Sequence, residues 1–247
     1  MSAGTPTLSL PPLLRGLRLE AGRDPFAEAV ALARAGRAEP GSLHWADDLG
    51  LFSVAVILAP EMSLECAMGA VMAAGLGLNE ALGVLTPPET AVEFVWPGGL
   101  KVNGAACGGL RAAASTADPG AEPDWLVIGA SVPLLPLAQN TEPGLTPDRT
   151  SLWDEGAGDV TAHALTEAWS RHFLAWLNTF LDDGLKPLHD AWRAKWAQRA
   201  GGEVSRPVPG TALGLDETGG LLVKTGEQIR AFPLTLMLEE SPCTSPA

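Results

Sequence analysis

The chain has 247 residues, 46% of them apolar, which is enough for a sizeable core in one large domain or in a large domain plus a small one. Its 16 Lys and Arg against 29 Asp and Glu give a formal net charge of −13, which would repel a phosphate backbone and argues against a nucleic-acid partner. Three widely spaced cysteines fit neither a disulfide framework nor paired zinc ligands and favour a reducing cytoplasm. We expect no signal peptide and no membrane span.

The first third of the chain predicts a helix, a buried strand and a second helix. Residues 24–36 begin with Asp24 as a helix cap and Pro25 in the first turn and end at a glycine, which indicates a helix. Residues 51–60 are rich in Val and Ile and end with a proline, which favours a buried strand. A helix is predicted over 63–85, with an interruption at the glycines of 75–77.

A meander of strands follows. Two strands, 91–95 and 100–103, flank the turn "WPGG", a third covers about 108–115, and a fourth is "DWLVIGASV", residues 124–132. Strands arranged in this way on one helical layer indicate an α+β fold.

The second half predicts two amphipathic helices and a small β module. Apolar residues at helical spacing mark helices over 161–184 and 187–201, and their tryptophans are expected to pack the two helices together. A Gly/Pro linker then leads to two hairpins. The predicted domains are 1–203, an α+β domain, and 204–238, a small β module, followed by a disordered tail over 239–247.

Five segments in this order resemble the biotin/lipoate protein ligase family, in particular the catalytic and C-terminal domains of biotin protein ligases. The segments are "VEFVWPGGLKVNGAACGGL", "DWLVIGASV", "TSLWDEGAGDVTAHALTEAW", "DDGLKPLHDAWRAKW" and "GTALGLDETGGLLVKTGEQIRAF". The resemblance spans about residues 26–238. It implies a biotin protein ligase-like mixed sheet with helices, followed by an SH3-like β module. It also implies the family's chemistry, in which ATP activates biotin to biotinyl-adenylate and the acyl group passes to a lysine of a carrier domain.

Three features that serve the adenylate in this family are altered here. The Arg/Gly-rich loop is cut to "HWADD", Val95 stands where a lysine precedes "WPND", and Ala106 stands where a second lysine precedes "GIL". Each preorganised contact to a developing charge is worth roughly 3 to 4 kcal/mol of barrier, so losing all three should abolish adenylation. Lys101 is the one cation nearby and is therefore the candidate catalytic residue.

The "WPGG" turn keeps the outline of a pocket wall, because glycines permit close backbone approach. Each candidate also has a structural interpretation: Trp96 as ordinary core, the glycines as turns, Cys107 as a buried small residue rather than a nucleophile. His44 with the aspartates that follow it is either a solvated loop or an acid/base or metal cluster. The predicted ligand-binding residues are Trp96, Pro97, Gly98, Gly99, Lys101, Asn103, Gly108, Gly109, His44 and Trp45.

Three functions stay open at this point. The first is a degenerate family member that binds a small acyl ligand or a biotinyl or lipoyl carrier domain without adenylating. The second is an active ligase for biotin or lipoate that uses ATP and the relocated Lys101. The third is a structural or regulatory homodimer that uses the edge of the sheet. The missing loop favours the first, and no metal ligand set is predicted.

Overall fold

The computed structural model describes residues 8–136 and 148–239, and it contains a large mixed sheet. Seven strands form this sheet in the order β1-β2-β3-β7-β6-β5-β4, with β1 parallel to β2 and the other neighbours antiparallel. The strands are β1 (Arg15–Leu19), β2 (Ser42–Ala46), β3 (Leu51–Leu58), β4 (Val92–Val95), β5 (Gly99–Val102), β6 (Ala105–Ala114) and β7 (Leu126–Pro133). The predicted α+β class is thereby confirmed.

Helices cover both faces of the sheet. They are α1 (Pro25–Arg34), α2 (Leu64–Ala67), α3 (Gly69–Leu85), α4 (Ala162–Asp183) and α5 (Lys186–Ala194). On one face α1 packs over the middle strands and forms a small core around Phe26 and Ile57. On the other face α3 lies against the sheet with α4 and α5 around it, and this side holds the main core.

The helix predicted over 63–85 is present, but the predicted interruption at 75–77 is wrong. The break lies at Met68, and α3 runs straight through both glycines. A Cβ atom on Gly75 would be 2.4 Å from the Trp192 ring, and one on Gly77 would be 2.7 Å from the Phe173 backbone. The glycines therefore let α4 and α5 approach α3 closely.

The same helical segment has the length and apolarity of a membrane span. Among the described residues only Leu64–Leu85 meets that test, with a mean hydropathy of 1.4, and 72% of its apolar window is buried inside the protein. Burial of this extent identifies it as the central helix of the main core.

Three other predictions need correction. The loop predicted around His44 is wrong, because His44 lies in β2 and is 2% exposed. The third strand of the meander begins at Ala105, because Asn103 and Gly104 both adopt positive φ and close a two-residue hairpin. The last helix is shorter than predicted and ends at Ala194.

The chain after α5 covers an otherwise free sheet edge. The Lys195 carbonyl accepts a hydrogen bond from Phe94 N, and Ala197 N donates to the Phe94 carbonyl, both at 2.8 Å. This pairing occupies the outer side of β4, where unpaired backbone groups would otherwise remain. The polar backbone of residues 195–197 thus continues the sheet instead of the helix.

A second, four-stranded antiparallel sheet follows in the order β11-β10-β9-β8. Its strands are β8 (Glu203–Val204), β9 (Gly210–Leu215), β10 (Leu221–Thr225) and β11 (Gln228–Phe232), and a 3₁₀ turn (Leu234–Met237) comes after them. The side chains of Leu221 and Leu234 belong to the main core. The domain boundary at 203 and the SH3-like architecture stay predictions; residues 240–247 of the predicted tail lie outside the described residues.

Candidate functional site

A cavity of about 280 Å³ opens on the α1 side of the large sheet, beside the N-terminus of α1. Its lining comes from the loop before α1, the β2–β3 hairpin and three neighbouring strands. The lining residues are Gly22, Arg23, Asp24, Ala46, Asp48, Leu51, Ser53, Arg111 and Ser131. Its volume lies just below the usual range for ligand pockets, which is roughly 300 to 1,000 Å³.

Small side chains form the floor of the cavity. Ser53 of β3 lies directly opposite Ser131 of β7. Outside the lining, the same row of paired residues continues through Gly109 of β6 to Gly99 of β5. Both serines line the cavity, Ser53 with 9% exposure and Ser131 half-buried. The row therefore offers two hydroxyl groups and an open surface to a molecule lying on the sheet.

The N-terminus of α1 forms one wall. Asp24 caps the helix by accepting a hydrogen bond from Phe26 N at 2.9 Å. The Phe26 ring packs onto Gly129, where a Cβ atom would be 2.6 Å from the ring. The Arg111 guanidinium stacks over the same ring at 4.2 Å, so the wall joins a helix terminus to the middle of β6.

Both arginines of the cavity are paired with carboxylates. Arg111 donates through Nη1 to Asp24 at 2.7 Å, and through Nε and Nη2 to the two oxygens of Glu239 at 2.5 and 2.9 Å. Arg23 pairs with Glu28 at 3.0 Å. The lining thus holds no arginine free of an acidic partner among the described residues.

The acidic groups of the cavity also have structural tasks. Burial by itself would raise the pKa of Asp24, but the hydrogen bond and charge of Arg111 outweigh it and lower that pKa. Asp48 accepts hydrogen bonds from Gly50 N at 2.8 Å and from Gly22 N at 3.3 Å, and so fixes the hairpin beside the loop before α1. Asp24 and Asp48 therefore both accept hydrogen bonds from backbone N–H groups and hold those segments in place.

The four predicted glycines bring strands together and do not line this cavity. Gly108 has a φ of +89°, and a Cβ atom there would be 2.0 Å from the Ser131 carbonyl oxygen. A Cβ atom on Gly109 would be 2.5 Å from the Gly98 oxygen, and Gly98 itself faces Met237. A Cβ atom on Gly99 would meet Val95 at 3.1 Å. Close backbone approach between neighbouring strands accounts for Gly108 and Gly109, whereas side chains of Met237 and Val95 occupy the space beside Gly98 and Gly99.

The other residues of the turn are also engaged within the protein. Trp96 is 6% exposed, and its indole N–H donates to the Gly219 carbonyl at 3.1 Å, which ties the turn to the C-terminal sheet. The peptide bond between Trp96 and Pro97 is cis. Asn103 accepts a hydrogen bond from Ala91 N and donates one to Glu155. These side chains join pieces of the fold.

His44 and Trp45 point to opposite faces of β2. Trp45 lies in the main core, with the Arg18 guanidinium 5.8 Å from its ring. His44 lies two residues before the cavity residue Ala46, and neither of its ring nitrogens has a hydrogen-bond partner among the described residues. Burial lowers the pKa of His44, so its ring is neutral over a wider pH range than usual.

The positions tied to the lost lysines lie on β4, β5 and β6. Lys101 pairs in register with Glu93 on one side and with Ala106 on the other, and it makes no ion pair within the described chain. Ala106 N donates a hydrogen bond to the Asp148 carbonyl, and the Ala106 carbonyl accepts one from Thr150 N. Val95 is the last residue of β4. None of these three residues lines the cavity.

Cys107 is buried with 0% exposure. Burial raises the pKa of its thiol to about 12, with further increases from Glu155 and Asp154. A thiol in that state is a poor nucleophile at neutral pH. Nor do the described residues contain a group of three or more His, Cys, Asp or Glu side chains placed to share a metal ion.

Sequence reasoning missed most of the cavity lining. One local signal was available: Arg111 is a lone charge in the small-residue strand "AACGGLRAAA", where an unpaired arginine would be costly. The serines of β3 and β7 give a second, weaker signal, as polar residues within apolar runs. No sequence pattern links them, because they meet only across the sheet.

The sheet, the helices on its two faces and the small C-terminal sheet define a biotin protein ligase-like fold. The sequence profile of the biotin/lipoate A/B protein ligase family matches residues 10–194, about three quarters of the chain, and the chain belongs to this family. A search of curated protein sequences finds no match.

Solved structures agree with the family. A biotin protein ligase-like protein of unknown function from Silicibacter sp. TM1040 is 40% identical, covers 95% of this chain and 100% of its own, and superposes with a TM-score of 0.87. Biotin protein ligase from Aquifex aeolicus is 21% identical, with coverages of 88% and 94% and a TM-score of 0.67. The Leishmania major biotin protein ligase in complex with biotinyl-5-AMP is 17% identical, with coverages of 90% and 99% and a TM-score of 0.54. The last two show a shared fold.

Proposed function

We propose that this chain binds a small acyl ligand, free or attached to a carrier domain, in the cavity beside α1 and does not adenylate it. The observation that carries the proposal is the pairing of both cavity arginines with carboxylates. A nucleotide phosphate needs cations and preorganised donors where its charge develops. Here Arg23 and Arg111 face three acids in direct contact, within a protein of net charge −13.

The altered motifs support the same conclusion. Val95 and Ala106 are uncharged at the two positions where the resemblance implies lysines, and the chain passes from β2 to β3 through the four residues 47–50. A hairpin this short has no room for an Arg/Gly-rich loop. The cavity floor, by contrast, leaves an open face of the sheet with room for a small molecule.

Two measurements on the full chain test the proposal. Isothermal titration with biotin, lipoate and octanoate should show binding of at least one of them. ATP–pyrophosphate exchange with biotin or lipoate should equal that of a heat-killed blank. Exchange well above the blank would refute the loss of adenylation, and absence of binding by all three compounds would refute the ligand site.

A second candidate function is an active ligase that uses Lys101. One observation favours it: Lys101 makes no ion pair among the described residues. It also lies two residues after Gly99, which pairs through Gly109 with the cavity residue Ser131. In that case the unmodified protein exchanges pyrophosphate and Lys101→Ala abolishes the exchange. A regulatory homodimer through the sheet edge is the third alternative, and the oligomeric state measured by light scattering distinguishes it.

A further inference from the structure

The C-terminal segment of the described chain returns to the cavity. After β11 it passes through the 3₁₀ turn to Leu238 and Glu239. We call the segment Leu234–Glu239 the strap. Leu238 forms a parallel bridge with Ala112, and Glu239 N donates to the Ala112 carbonyl at 2.9 Å. The strap thereby pairs with β6 beyond Gly99, the first residue of β5, and it places the Glu239 carboxylate beside Arg111.

Two acids share Arg111, and they are held very differently. Asp24 is built into the N-terminus of α1, where Phe26 N fixes one of its oxygens. Glu239 is exposed, and one backbone hydrogen bond holds it to β6. Exposure does not distinguish the two acids, since Asp24 is 41% and Glu239 is 46% exposed, and ion pairs at such positions contribute little stability. The backbone does distinguish them: Asp24 caps a helix, whereas Glu239 follows a single bridge to β6, so Glu239 is the partner that leaves more easily.

The departure of Glu239 would expose a defined binding group. Glu239 occupies Nε and Nη2 of the guanidinium, whereas Asp24 occupies Nη1. Nε and Nη2 form the parallel fork that binds a carboxylate with two hydrogen bonds. With Asp24 retained, the pair Arg111–Asp24 is neutral, so a single negative charge is accepted there more readily than a polyphosphate.

We propose that Arg111 recognises the carboxylate of a small monocarboxylic acid bound in the cavity, and that Glu239 is the internal competitor which this carboxylate displaces. The inference rests on the proposed function, since it specifies the ligand of that same cavity. It assigns the strap a role in ligand affinity: the acid enters only as the strap releases Arg111.

The test compares acids with their neutral amides on the full chain. Octanoate and biotin, with octanamide and biotinamide, are titrated into the wild type, Glu239→Gln and Glu39→Gln. We expect Glu239→Gln to bind the two acids about five- to tenfold more tightly and the amides unchanged, because one charge-assisted bidentate contact no longer has to be broken. Glu39→Gln removes an equal charge from an exposed ion pair with Arg15, neither of which lines the cavity, and should leave all four affinities unchanged.

A second readout follows the strap itself. Saturating octanoate should speed amide hydrogen exchange in the peptide that contains Leu238 and Glu239 of the wild type, and octanamide should not. Equal gains for acids and amides, equal effects of the two substitutions, or unchanged exchange overturn the inference while leaving the ligand site in place. Failure of every form to bind any of the four compounds refutes both the inference and the proposed site.

Discussion

At the scale of single residues, His44 is an unusual group in this fold. The residue is 2% exposed, and both ring nitrogens lack a partner among the described residues. A buried polar group without a hydrogen bond destabilises the folded state, and a charged one does so far more. His44 therefore makes the stability of the protein depend on pH.

Replacing His44 with leucine should reduce the loss of stability in acid. Burial lowers the pKa of His44 in the folded state, so unfolding takes up a proton below the unfolded pKa of about 6.5. Above that pH this proton uptake does not reduce the free energy of unfolding, and below it the free energy of unfolding decreases as the pH falls. At pH 5.5 this loss is at most about 1.4 kcal/mol relative to pH 7.5. Urea unfolding at the two pH values should show a smaller difference for His44→Leu than for the wild type; an unchanged difference would contradict the prediction.

Restoring the two lysines should not restore adenylation. Val95→Lys and Ala106→Lys return two cations, but the arginine-rich loop stays absent and Arg111 stays neutralised by Asp24 and Glu239. Residues that act as a unit in catalysis fail together, so partial repair gives no rate. Pyrophosphate exchange by the double variant should equal the blank, with thermal unfolding as the check that it is folded. A rate above the blank would show that the loop is dispensable.

At the scale of elements, α3 illustrates how glycine composition serves packing. Its buried glycines lie where α4 and α5 cross it, whereas Gly83 near its end is exposed, and a Cβ atom there would meet nothing within 4 Å. The same residue type therefore has opposite energetic consequences within one helix. In the contact region the space of the absent side chain is filled by a neighbour, and outside it the absent side chain only adds backbone freedom.

Alanine substitutions along α3 should change stability in opposite directions. Gly75→Ala places a methyl group 2.4 Å from the Trp192 ring and should destabilise the protein by about 1 to 3 kcal/mol. Gly83→Ala in the same helix should stabilise it by about 0.5 to 1 kcal/mol, because alanine loses less backbone entropy on folding. Urea midpoints at pH 7.5 measure both effects. Equal shifts for the two variants would mean that the helices do not meet at Gly75.

At the scale of the whole molecule, the two sheets share one core. Leu221 of β10 and Leu234 of the strap are buried with the side chains of α3, and Gly219 accepts the indole hydrogen bond of Trp96. The linker between α5 and β9 is also bonded, since Gly201 N donates to the Ala212 carbonyl. The two sheets are therefore joined by a common core, and the domain boundary at 203 stays a prediction.

A core mutation in the C-terminal sheet should consequently destabilise the entire chain. All eight tryptophans lie before residue 204, so tryptophan fluorescence reports on the larger sheet and its helices. Leu221 is 0% exposed, and Leu221→Ala should cost about 2 to 5 kcal/mol. We expect the fluorescence midpoint in urea to fall together with that of far-UV circular dichroism. A fluorescence midpoint equal to the wild type would establish the independent β module that the Gly/Pro linker predicts.

The sequence by itself determined most of the elements and the order in which they follow one another. Asp24 and Pro25 at the start of α1, the apolar run of β3 and the helical spacing of α4 act through neighbours within a few residues, so local patterns predict them. Five weak motifs in order also indicated the family. The sequence did not predict the short strands β1 and β2, because the burial of their side chains depends on the layers packed around them and leaves no local pattern.

Only the tertiary structure decided where the cavity lies and which charges surround it. Arg111 is 87 residues from Asp24 and 128 residues from Glu239 along the chain, and no periodicity connects positions so far apart. The glycines of the "WPGG" turn predict a pocket wall. The role of a glycine, however, depends on which atom occupies the space where a side chain would be. For Gly108 that atom is the Ser131 oxygen on the neighbouring strand, which only the assembled sheet brings there.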